Sequence, residues 1–176
     1  MLITGTLLIL LLLAALQDIR HYRIPNAVVF PGAITGVLLH TLLPQELSGL
    51  GILNALAGLG VGLAVLLPLY LLRAMGAGDI KLMAMIGAFV GPASMLNVTL
   101  YILLAGGALA IGVVLWKGKL ARLIDNLKIM LLMRLAGSSI ASLPATGMLP
   151  ESAGKLPYGV AIAAGTLVYL AKIHWG

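Results

Sequence analysis

Apolar runs of bilayer length, separated by short turns, constrain this chain more than any other feature. Runs over 2–17, 26–43, 50–72, 95–115 and 156–173 each approach the ~20 residues that cross a bilayer core. A sixth, 80–90, is shorter and stops at Gly91-Pro92. Glycine, proline and charge mark the ends of the runs, where helices stop. The pattern predicts an all-α polytopic membrane protein of about six transmembrane helices, one domain over residues 1–176. Composition agrees: 61% of residues are hydrophobic and 9% charged, against roughly 25% charged in soluble domains. The first run has no basic residues ahead of it and leads into Gln17-Asp18-Ile19-Arg20, so it is expected to stay as a helix.

An even spacing of crossings puts the loops 18–25, 73–81 and 116–157 on one face. That face carries ten of the eleven Lys and Arg residues; Lys172 is on the other. The asymmetry assigns the basic face to the cytoplasm of a cytoplasmic-membrane protein and both termini to the outside. The formal charge of +6 then reports topology and anionic lipid as a partner. No base-reading motif points to nucleic acid. Within 120–135, Leu120, Leu123, Ile124, Leu127 and Leu131 recur at helical spacing opposite Arg122, Asp125 and Asn126. Such a segment lies in the headgroup layer as an interfacial amphipathic helix. Residues 138–154, rich in Ser, Pro, Gly and Ala, are expected as loop.

The chain holds five acidic residues. Asp18 closes the first run, and Asp79 follows Met75-Gly76-Ala77-Gly78 at the lip of another. Both fall on the basic face at similar depth. An ionisable residue at a membrane segment is a functional candidate. Two neighbouring carboxylates cannot both ionise cheaply, so they share a proton and present an acid and a base together. The base can activate a water and the acid can protonate an amide carbonyl or leaving nitrogen. Asp79 precedes a helix start and Asp18 sits at a helix end, so the macrodipole favours Asp79 as the ionised base, with Lys81 adding a nearby cation. Gly76 and Gly78 can take positive φ and let an extended backbone approach. With no cysteine and only His21, His40 and His174, far apart, neither a thiol nor a metal site is expected, and no cofactor is called for.

Three segments together resemble the type IV prepilin peptidases. Asp18-Ile19-Arg20 with Ile24-Pro25-Asn26 is similar to their first aspartate motif. Gly76-Ala77-Gly78-Asp79-Ile80-Lys81 is similar to their G-x-G-D-x-K motif. Leu156-Pro157-Tyr158-Gly159 is similar to the opening of their last helix. The resemblance implies an aspartic peptidase with Asp18 and Asp79 as the catalytic pair. It implies supporting or substrate-binding roles for Pro25, Asn26, Gly76, Gly78, Lys81, Pro157, Tyr158 and Gly159. The implied substrate is a prepilin or pseudopilin, cut between its short basic leader and its apolar helix, and pilus assembly proteins are implied as further partners. With no cysteine and no long loop after the first helix, the chain resembles the short form of tight-adherence (Flp) pilus systems, without the N-methyltransferase region.

Two readings of other classes stand beside this one. A proton-coupled small transporter could use membrane aspartates as a relay, but it would place them near the bilayer midplane with a polar path through it. A non-catalytic subunit of a pilus or secretion machine would need no dyad at all.

Overall fold

A computed structural model describes residues 2–43, 51–72, 75–116, 118, 125, 128 and 157–175. Among the described residues five helices follow one another: α1 Leu2–His21, α2 Asn26–Leu42, α3 Gly51–Leu71, α4 Ala77–Trp116 and α5 Tyr158–Trp175. No strand occurs among the described residues. Pro25, at φ −72° and ψ 136°, starts α2, as its ring geometry favours. The chain divides into two compact units, Met1–Gly107 with Pro157–Gly176, and Ala108–Leu156. In the second, the described residues continue α4 to Trp116 and include the exposed Gly118, Asp125 and Lys128. The amphipathic segment expected over 120–135 and the loop over 138–154 otherwise fall outside the described residues.

The first unit is built around the first arm of α4. Runs 80–90 and 95–115 emerge as one element broken at Gly91, whose φ of 78° and ψ of 170° leave the helical region. Glycine reaches such angles freely, and Pro92 begins the next arm with no N–H to offer. The break turns the chain back. A straight helix would carry Gly106 about 40 Å from Asp79. Yet Tyr158 packs on Gly106 and lies within the field of Asp79. The first arm therefore runs from 77 to 90, longer at its start than the apolar run implied.

This arm is buried all round: Leu82, Met83, Met85, Ile86 and Ala88 are each 0% exposed. A helix that is apolar on every side belongs in the middle of a bundle. Glycines on its neighbours let it in. Gly58 and Gly62 of α3 press on the backbone of Gly87 and Met83, and Gly32 and Gly36 of α2 make room for Met85 and Phe89. Small residues at helix crossings of this kind bring backbones close where lipid surrounds the bundle. His40 of α2 also holds this arm. It is buried, and its Nε2–H donates to the Phe89 carbonyl at 3.0 Å, two residues before the break.

Around this core α1 packs on α5 and α2, and α2 on α3. The outer surface is leucine-rich, with Ile9, Leu12, Leu53, Leu100 and Val168 exposed. Leu2–His21, Gly51–Leu71 and Ala77–Trp116 are long and apolar enough to cross a membrane, while Asn26–Leu42 and Tyr158–His174 are shorter apolar helices.

The α3 glycines separate packing from tolerance. A Cβ at Gly58 runs into the Gly87 carbonyl, whereas one at Gly60 meets nothing within 4 Å. Gly58→Val should cost about 3 kcal/mol or more, because backbone on both sides cannot give way. Gly60→Ala should leave stability unchanged. Thermal unfolding of both variants in the same detergent checks the contrast.

Candidate active site

Four chain segments meet at one end of the first unit: the last turn of α1, the start of α2, the start of α4 and the start of α5. Asp18 comes from the first. α1 does not stop there; it continues to His21, and Tyr22 at φ 50° closes it, its N–H bonded to the Asp18 carbonyl at 2.8 Å. Asp18 is thus held in a formed helical turn. Its side chain is buried at 5% exposure, which demands a partner. That partner is the N–H of Gly159, 2.7 Å from Oδ2. Gly159 is the second residue of α5, so Asp18 caps the start of a helix far away in sequence. A Cβ on Gly159 would lie 2.8 Å from the same oxygen.

Asp79 is the third residue of α4 and is partly exposed. Its Oδ2 accepts the N–H of Gly76 at 3.0 Å, and its own N–H bonds back to the Gly76 carbonyl at 3.2 Å. The third helical residue reaching back to the N-cap N–H is half of a capping box. The field of Asp18 reaches Asp79, and that of Asp79 reaches Tyr158. The two carboxylates expected to work together therefore come within electrostatic range of each other.

Three expectations change. The helix-end asymmetry between the aspartates narrows: Asp18 lies in the last turn of α1, yet its carboxylate, like that of Asp79, is held by an N–H at a helix start. Neither Gly76 nor Gly78 takes positive φ; among described glycines only Gly51, Gly91 and Gly118 do. Gly78 acts through its missing side chain, since a Cβ there would stand 3.2 Å from that of Ile24. Lys81 does not turn to Asp79. Its Nζ donates to Asn26 Oδ1 at 3.0 Å and lies 5.2 Å from the centre of the Phe30 ring. Lys81 and Asn26 thus pin the start of α4 to the start of α2. A cation over an aromatic face adds roughly 0.5–2 kcal/mol to such a contact.

Pro25 and Pro157 each stand immediately before a helix, and Val160 N–H bonds the Pro157 carbonyl at 3.2 Å. Ile24 reaches the site as part of the first aspartate segment, whereas Phe30 and Gly106 carry no mark in the sequence as its neighbours. Gly106 lies in a glycine pair within an apolar run, which gives no hint that it faces Tyr158. No group of three or more His, Cys, Asp or Glu residues suited to a metal ion occurs among the described residues.

A family model described as the type IV leader peptidase family matches residues 5–111. The chain belongs to the type IV leader peptidase family. No curated protein and no solved structure matches it. This leader peptidase is accordingly a hydrolase, and its long apolar helices make it a membrane protein. The matched stretch contains Asp18 and the segment from Gly76 to Lys81. Pro157, Tyr158 and Gly159 lie beyond it, so their place beside Asp18 rests on geometry alone.

Gly159→Ala tests that geometry in the leader peptidase. The added methyl collides with Oδ2, Cβ and Cγ of Asp18 and must displace the carboxylate. A misplacement near 1 Å costs on the order of 10²-fold in rate. Leader cleavage should fall by about that factor while the thermal midpoint of the purified protein shifts little.

Proposed function

We propose that the protein is an intramembrane aspartic endopeptidase that removes the short basic leader of prepilin-like substrates at the cytoplasmic membrane face. One observation supports the reading: Asp18 and Asp79, from separate segments within the matched family region, stand at the same end of the first unit, where Gly78 beside Asp79 packs on Ile24 of the segment that follows Asp18. In this mechanism the two carboxylates share one proton. The ionised member takes a proton from water, whose oxygen attacks the scissile carbonyl carbon. The protonated member supplies its proton to the carbonyl oxygen. The gem-diol then collapses, the C–N bond breaks and the leaving nitrogen takes a proton. Protons are exchanged between groups already present. Because the pair titrates as a unit, the acid and base roles belong to the pair.

The same reading has about six crossings, with the two arms of α4 counted separately, and places the site on the basic, cytoplasmic side with both termini outside. It is the short, Flp-type form, working on a pilin or pseudopilin helix in anionic lipid.

Co-expression with a prepilin-like substrate tests the chemistry by the gel shift of leader removal. Asp18→Asn and Asp79→Asn should each reduce cleavage about a thousandfold or more, as expected when two groups act as one unit. Cleavage retained in either variant would sink the dyad. Orientation has its own test, because the chain has no cysteine. A thiol introduced by Arg23→Cys should react with an impermeant maleimide only from the cytoplasmic side, and one introduced by Gln45→Cys only from outside. The reverse pattern would overturn the topology.

A further inference from the structure

Tyr158 stands at the end of the first unit where the two aspartates lie. It heads α5, and the N–H of the residue after it holds Asp18. Its ring is fixed against Gly106, where a Cβ would lie 2.8 Å from the phenolic oxygen and 3.0 Å from ring carbons. Bare backbone at position 106 thus sets where the hydroxyl stands. The side chain is only partly buried, and its hydroxyl makes no hydrogen bond to another described residue. It nevertheless lies in the field of Asp79. A tyrosine hydroxyl in a packed setting ordinarily finds a partner. Phenylalanine would keep the ring carbons against Gly106 and lose the oxygen's contact there; that contact places the oxygen but gives its O–H proton no acceptor. The site therefore holds one neutral O–H donor, set by its contact with Gly106 and by the helix start whose next N–H holds Asp18, near Asp79; an ionised carboxylate there can only accept.

We propose that the Tyr158 hydroxyl is a catalytic hydrogen-bond donor, aimed at the scissile carbonyl oxygen as charge gathers on it. This rests on the dyad reading above. The hydroxyl keeps its proton throughout. Water's oxygen bonds to the carbonyl carbon, the C=O π pair moves onto oxygen, one carboxylate takes water's proton and the other gives its own to that oxygen. Tyr158 stabilises the oxygen before and during that transfer, as fixed donors do for developing oxyanions.

The test uses the full-length protein in nanodiscs, with a co-reconstituted substrate bearing a basic leader and an apolar helix. Tyr158→Phe should lower kcat on the order of 10²-fold, with KM within about twofold and the thermal midpoint unchanged. Replacing Tyr158 by fluorotyrosine, whose more acidic phenol is a stronger donor, should give kcat at or above the wild-type value; a packing role would not respond to phenol acidity. A wild-type kcat in Tyr158→Phe, with Asp18→Asn and Asp79→Asn inactive, would overturn the Tyr158 role and leave the dyad standing. A loss expressed only in KM, or only through unfolding, would overturn it equally. Cleavage surviving in the two Asp variants would remove the dyad reading itself.

Discussion

The close crossing of α3 and the first arm of α4 is the contact on which the rest depends. At Gly58 and Gly87 the two backbones touch with no side chain between them. Lipid provides no hydrophobic drive for helices to associate, because its tails are as apolar as leucine. Dense packing must supply the attraction, and glycine is the residue that lets dispersion contacts form between backbones. The arm so gripped is buried along its length from Leu82 to Phe89. Its N-terminus carries Asp79. Sliding or tilting this arm would move that carboxylate directly. His40 on the Phe89 carbonyl and Lys81 on Asn26 tie its two ends to α2, so it is held at both ends as well as along its flank.

From that arm the site grows by convergence of helix starts. Asp79 lies in the first turn of α4 and Asp18 caps the first turn of α5. Helix N-termini carry partial positive charge and unpaired N–H groups. Two of them facing two carboxylates offset part of the cost of gathering negative charge in an apolar bundle. The reversal at Gly91 adds the third component. It returns the second arm to the same end and sets Gly106 beneath Tyr158. Apart from the Gly76–Asp79 bond, these contacts join residues far apart in sequence, which makes the site a property of the assembled first unit.

What could be seen in the sequence follows from what a one-dimensional pattern reports. Apolar run lengths and the crossings counted from them set Asp18 and Asp79 on one face, and the fold brings their segments to one end of the first unit. Gly91-Pro92 announced its break, because no residue pair fits a continuing helix worse. The Ile24-Pro25-Asn26 step announced the start of α2. By contrast, α1 passes through Asp18 to His21 because polar residues can continue a helix, and hydropathy does not register that. The Gly159 N–H on Asp18 joins backbone to side chain across most of the chain, with no periodicity to betray it. Lys81 was expected to serve Asp79 because they are neighbours in sequence, yet on a helix residues two apart do not face each other. The same geometry turns Lys81 toward Asn26 of α2. Positive φ at Gly76 and Gly78 was a capacity of the residue type, and here the absent side chain is what the fold uses.

The charge distribution constrains how the proposed substrate could be held. Ten of the eleven Lys and Arg residues belong to the face assigned to the cytoplasm, and Arg20, His21 and Arg23 beside the site are exposed. A basic leader arriving there meets like charge, so the leader itself cannot provide the binding energy. Two exposed carboxylates would have offered a counter-charge, but Asp18 is buried and engaged by Gly159. Anionic headgroups can neutralise both basic partners and so remove the repulsion without adding selectivity. The remaining source is the apolar helix that follows the cleavage point, packed against a bundle whose outer faces are apolar. Energy gained along that helix is remote from the scissile bond, and enzymes use such remote binding to position the reacting group. On this account the leader is positioned rather than bound: it enters because the helix behind it is docked, and the basic face helps to expel it once the bond is cut.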